Sequence, residues 1–178
     1  MRQSRFIAIA LACAALVASN GAAAEELPHA VHYDLDVKVR DADLAVTETI
    51  RFTGRPAGKL ALDLVPEMKV LAAESAGKAV PFDVGKDRVG LDLSSLAAKD
   101  AEFSVTLRLE GAPREQFSKA RGGFLRSAVG PDFTYIRSQV AWYARVPDDL
   151  ATYRTVVDVK AGRLVRTVWD GVADASGT

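Results

Sequence analysis

From Val31 to Arg40 apolar and polar residues alternate one by one, and no other feature of the sequence restricts the fold as strongly. The odd positions are Val31, Tyr33, Leu35, Val37 and Val39; the even positions are His32, Asp34, Asp36, Lys38 and Arg40. Successive side chains of a strand point to opposite faces, so this segment buries one face and wets the other. Asp41-Ala42-Asp43 supplies a turn. The alternation then resumes, with Leu44, Val46, Ile50 and Phe52 on one side and Ala45, Thr47, Thr49, Arg51 and Thr53 on the other. The two segments predict a β-hairpin. Glu48 interrupts the apolar side, where a strand-end or inter-sheet hydrogen bond is the expected role.

The pattern continues in short pieces. Leu60, Leu62 and Leu64 form a third strand that Pro66 ends, and strands are expected around 69–73, 80–84 and 89–93. Gly77, Gly85-Lys86-Asp87 and Ser94-Ser95 make the turns between them. Phe103, Val105, Leu107 and Leu109 alternate again before Gly111-Ala112-Pro113. No stretch from Glu25 to Gly111 keeps apolar residues at helical spacing for three turns. Strands recurring every 8–12 residues or so imply an all-β fold, an antiparallel β-sandwich. Its expected core contains Tyr33, Leu35, Val37, Val46, Ile50, Phe52, Val105 and Leu107. Residues 114–131 read as a polar connection, and the lone Arg121-Gly122-Gly123 triplet within it reads as a turn.

The first segment lies outside that fold. Arg2 and Arg5 precede an apolar run from Phe6 to Val17, and Ala22-Ala23-Ala24 supplies small residues before Glu25. This is the layout of a secretory signal peptide, expected to cover residues 1–24 and to be cleaved. Its apolar run is shorter than the roughly 20 residues that span a bilayer, so no stable membrane anchor is expected. The domain proper is expected over residues 25–171, followed by a short frayed tail, 172–178. The expected location is periplasmic or secreted. Cys13, the single cysteine, lies in the signal, so the exported domain must rely on its core rather than on disulfides. Arg2 and Arg5 leave with the signal, so 21 basic residues face 23 acidic ones. That balance offers no basic field and argues against a nucleic-acid partner.

The chain carries few of the residues that chemistry needs. His29 and His32 are its two histidines. Zinc catalysis calls for three protein ligands, commonly including two histidines one helical turn apart, and no H-E-x-x-H is present. Nucleophile-elbow (G-x-S-x-G), P-loop and G-x-G-x-x-G patterns are absent too. The Pro147-Asp148-Asp149 sequence reads as turn chemistry rather than as an acid–base pair. What remains is a late aromatic stretch, 133–159, with strands expected over 133–138 and 153–159 and a loop over 142–150 between them. That loop contains Trp142, Tyr143 and Arg145, an expected interface made of aromatic surface and a cation. A last strand is expected over 164–169.

The order of these pieces resembles the N-terminal domain of aminopeptidase N-type zinc metallopeptidases (gluzincins), in a divergent bacterial form. His32-Tyr33-Asp34-Leu35-Asp36-Val37 is similar to that family's opening H-Y-D-L-x-V strand. Gly122-Gly123-Phe124-Leu125-Arg126-Ser127 is similar to its glycine–aromatic turn. Gln139, Ala144-Arg145, Pro147-Asp148-Asp149, Gly162 and Asp170-Gly171 follow in the family's order. The usual A-R-x-x-F-P-C-x-D-E-P motif is shortened here, without its cysteine and its closing Glu-Pro.

The resemblance implies that Gln139 helps to hold the free amino group of a peptide substrate. It also implies that the G-x-M-E-N loop and the H-E-x-x-H helix belong to a catalytic domain absent from this chain. Zinc is expected only in that domain, so no cofactor is expected here and the chain is expected to be inactive alone. The implied partners are the catalytic domain, on the same or a neighbouring polypeptide, and peptide N-termini. An alternative is a stand-alone periplasmic binding or scaffold module that uses the loop around Trp142.

Overall fold

A computed structural model describes residues 27–56, 58–96, 102–113, 127–131, 134–136 and 140–160. The signal segment, Gln139, the strand expected over 164–169 and the 172–178 tail lie outside them. Two of the strands form the predicted hairpin: β1 (His29–Val39) and β2 (Leu44–Thr53) pair antiparallel from Val39↔Leu44 back to His29↔Thr53. The remaining strands are β3 (Lys59–Asp63), β4 (Met68–Ser75), β5 (Lys78–Ala79), β6 (Phe82–Val84), β7 (Arg88–Asp92), β8 (Glu102–Gly111), β9 (Ser127–Val129), β10 (Thr134–Ile136) and β11 (Thr152–Asp158). No helix occurs among the described residues.

A six-stranded sheet, ordered β11-β1-β2-β8-β4-β5, forms one layer, and a three-stranded sheet, β3-β7-β6, contributes to the other. Their inward residues merge into one core: Leu35, Ile50, Phe52 and Leu107 from the large sheet, Leu60, Leu62, Val89 and Leu91 from the small one. The eight residues expected in the core are all at most 4% exposed. The fold is therefore an all-β sandwich whose alternation places the core as predicted. β9 and β10 form a separate two-stranded ribbon.

Four local readings need correction. Val31 is 39% exposed while Ala30 is buried. The β1–β2 register slips between Ala30 and His32, and a bulge of this kind reverses which residues face inward. The strand expected over 80–84 is shorter, β6 at Phe82–Val84, which pairs with β7 in the small sheet; the two-residue β5 (Lys78–Ala79) just before it pairs with β4 in the large one. Pro81 lies between them. It has no N–H to offer a ladder, and its carbonyl instead accepts from Asp92 N at 2.8 Å. Ser127–Val129 is a strand, β9, rather than part of a polar connection. Finally, β11 pairs in parallel with β1, from His32↔Thr152 to Lys38↔Asp158. It is the one parallel pair among the described strands, and it closes the chain back onto its first strand.

Candidate functional site

The parallel return brings residues 141–149, which take in most of the loop expected over 142–150, against both sheets. Three backbone groups of this segment bind the small-sheet side. Val65 N donates to Ala141 O at 2.8 Å, Asp63 N to Arg145 O at 2.8 Å, and Arg145 N to Asp63 O at 3.1 Å. Two further N–H groups are captured by side chains of the large sheet. Ala144 N donates to Glu48 Oε2 at 2.9 Å, and Val146 N donates to the Tyr33 hydroxyl at 2.9 Å. The same segment also holds the start of β1, because Asp149 Oδ2 accepts from Ala30 N at 2.6 Å and its Oδ1 lies 3.1 Å from His29 Nδ1. Asp148 beside it turns the chain at a φ of 62°, a left-handed conformation that aspartate tolerates better than most residues. The Pro-Asp-Asp sequence is thus turn chemistry with an anchoring carboxylate.

The aromatic residues form one cluster rather than an open loop. Tyr33 stacks on Tyr153 at 5.1 Å and meets Tyr143 edge-on at 5.7 Å. Trp142 meets Tyr143 edge-on at 5.1 Å, all within the spacing that favours aromatic pairs. Tyr143 donates from its hydroxyl to the Tyr153 hydroxyl at 3.1 Å. Burial raises the pKa of the Tyr33 and Tyr143 phenols, so both stay neutral donors and acceptors. Tyr143, one of the expected interface residues, is 9% exposed in this chain, and Ala144 is fully buried. Trp142 and Arg145 are half-buried, Trp142 being packed against the core. Exposure resumes beyond the segment, at Leu150, Tyr153 and Val156. Gln139, the residue expected to meet the substrate amine, lies outside the described residues.

Glu48, which interrupts the apolar face of its strand, makes its hydrogen bond to Ala144 of this segment rather than to another sheet or at a strand end. It is fully buried, and burial outweighs the Ala144 bond to push its carboxyl well above the usual glutamate range. Its Oε1 has no hydrogen-bond partner. Asp149 and the Tyr33 hydroxyl were not legible as anchors, since both depend on a contact across more than a hundred residues of chain.

Among the described residues no group of three His, Cys, Asp or Glu side chains could hold a metal ion. His29 faces Asp149, and His32 Nδ1 lies 2.6 Å from Thr152 Oγ1. These residues do not fit a zinc site, and no chemical step can be built through one here.

No protein-family model and no curated protein match the sequence. Solved structures do match the fold. An M1 zinc metallopeptidase from Deinococcus radiodurans superposes with a TM-score of 0.58 at 20% identity, over 75% of this chain and 33% of that one. A variant of that enzyme bound to a Tyr-Ser-Ala substrate gives 0.56 at 19% identity, with the same coverage. Yeast LTA4 hydrolase in complex with bestatin gives 0.54 at 13% identity, over 75% of this chain and 23% of that one. The chain spans about a third of the length of the Deinococcus enzyme. At these identities the likeness is one of fold: the β-sandwich is shared with part of the M1 zinc metallopeptidases.

Proposed function

We propose that the chain is the N-terminal β-sandwich domain of a secreted zinc aminopeptidase-like protein and is not catalytic alone. In this reading it docks to a catalytic domain on the same or a neighbouring polypeptide and helps to hold the free amino end of a peptide. The observation that carries it is the fold likeness, which takes in 75% of this chain but only 33% of an M1 zinc metallopeptidase. The order of the sequence motifs supports the same reading. So do the exposed side chains of Leu150, Tyr153 and Val156, which follow the half-buried Trp142 and offer apolar area for a neighbouring domain to cover. The zinc and its chemistry would belong to that neighbouring domain, and Gln139 would be this chain's contact with the substrate amine. We also propose that residues 1–24 direct export and are removed, which sequencing the N-terminus of the exported protein would check.

The coding sequence beyond Thr178 tests the main reading. An open frame carrying H-E-x-x-H supports it, and the protein expressed with that continuation should cleave aminoacyl amides. Gln139→Ala should then raise KM more than it lowers kcat. A stop codon followed by an unrelated gene overturns the reading and leaves a stand-alone binding module.

A further inference from the structure

Glu48 sits on the otherwise apolar side of its strand. It lies mid-strand in β2, between Leu35 of β1 and Leu107 of β8, and leucine there would spare the partnerless Oε1 but leave the buried Ala144 N–H without its acceptor. Its two oxygens differ. Oε2 accepts from Ala144 N at 2.9 Å, while Oε1 is enclosed with no partner. A neutral carboxyl suits this arrangement, with Oε2 as acceptor and the proton on Oε1. A carboxylate does not, because one N–H would be its only compensation in a closed apolar site.

Among the described residues, the groups around it offer no counter-charge. On β1 the nearest titratable group is the Tyr33 phenol, whose pKa Glu48 helps to raise. On β8 the facing residue is Leu107, and β3 and β7 contribute Leu60, Leu62, Val89 and Leu91 to the same core. The segment itself carries Tyr143, Arg145 and Asp149. Tyr143 is neutral and bonded to Tyr153, Arg145 is bound to Asp63 through its backbone, and Asp149 is held by Ala30 N and His29.

We propose that Glu48 is a positioning residue whose protonated side chain holds residues 141–146 between the two sheets and whose ionisation releases them. The charge that forms on ionisation needs water, and outward movement of Ala144 and its neighbours would admit it to the closed site. The half-buried Trp142 and Arg145 would move with Ala144, and the chain just upstream contains Gln139. The device is a pH-sensitive latch, and it does not depend on what this face binds.

Intrinsic fluorescence tests it in the full chain. Trp169→Phe removes the second tryptophan and leaves Trp142 as the reporter. Between about pH 5 and about pH 9, emission should shift to the red in a single one-proton transition, centred well above the ordinary glutamate value of 4.5. Glu48→Gln in the same background keeps an acceptor for Ala144 N but cannot ionise, so its profile should be flat at the acid-form wavelength. Glu48→Leu has no acceptor and should give the released emission at every pH. A transition that persists in Glu48→Gln, or a flat profile in the parent, overturns the proposal. Carboxyl 13C NMR of the parent chain provides a check free of any Glu48 variant. One glutamate should titrate well above the ordinary value of 4.5 and with the Trp142 midpoint; glutamates that all titrate in the ordinary range overturn the proposal.

Discussion

The β2–β8 ladder and residues 141–149 meet in one core, yet they are fixed by different means. The ladder runs unbroken from Leu44↔Gly111 to Thr53↔Glu102, and most of its inward side chains are apolar and fully buried. Its position follows from pattern: a one-residue slip would turn every inward leucine and valine to water. The 141–149 segment has almost no ladder. A single bridge to Asp63, one backbone bond from Val65 and the side chains of Glu48, Tyr33 and Asp149 hold it in place. Apolar burial can thus specify a sheet many times over, whereas a segment held by individual hydrogen bonds depends on each of them.

The largest expected effect breaks the ladder side of this comparison. Phe52 is fully buried and stacks on Phe103 at 5.0 Å. Phe52→Ala should cost about 3–5 kcal/mol in urea unfolding, through lost transfer energy and the cavity left behind. That approaches the whole stability of an ordinary domain. A loss below about 1 kcal/mol would mean that the sandwich core is not organised as described.

A smaller effect is expected on the segment side. Tyr33→Phe keeps the ring and its stacking on Tyr153 but removes the acceptor of Val146 N. Leaving that N–H unpaired should cost about 1–3 kcal/mol. Hydrogen exchange should speed up at Val146 while the β2–β8 amides stay protected. Equal loosening of both regions would show that segment and ladder open as one unit.

Legibility follows the same division. The hairpin, the core residues and the sandwich could be read in advance, because period-two burial is a local property written residue by residue. The two bulges could not. At Val31 and again near Leu71, which is 57% exposed, the register shifts and an apolar residue turns outward. Nothing in the alternation marks where a partner strand will slip. The break between β5 and β6, which lie in different sheets, had one local sign, Pro81. The parallel return of β11 to β1 had none, since strand order is a long-range choice. Within the site, Glu48 was legible as an anomaly of its own strand, but its partner was not. Tyr143 stands in an aromatic, basic and proline-containing sequence that reads as an exposed loop. Its burial depends on Tyr33, Tyr153 and Trp142 gathering around it.

Two carboxyls on one sheet should give opposite pH dependences, and the exposed one, Asp34, carries the smallest expected effect. Glu48 faces the core, and burial raises its folded-state pKa. The unfolded chain then gives up the proton first, so stability is fully present below the ordinary value of 4.5 and falls as pH rises toward the folded value. Asp34 lies on the wet face, where Arg154 NH1 donates to its Oδ1 at 2.9 Å across the β1–β11 pair. That bond, more than any other influence, lowers its pKa below 3.8. In the window beneath 3.8 the unfolded chain binds the extra proton, so this contribution is present above it and lost as pH falls. Both members of the pair are exposed by more than a third, so the effect should be slight and should fade with added salt. Urea midpoints measured against pH would separate the two. Asp34→Asn should flatten only the acid end of the profile, and Glu48→Gln should flatten only the decline above about pH 4.5. If Asp34→Asn also altered the upper limb, the parallel β1–β11 pair would be controlling the latch. The two halves of the comparison would then be coupled through β1.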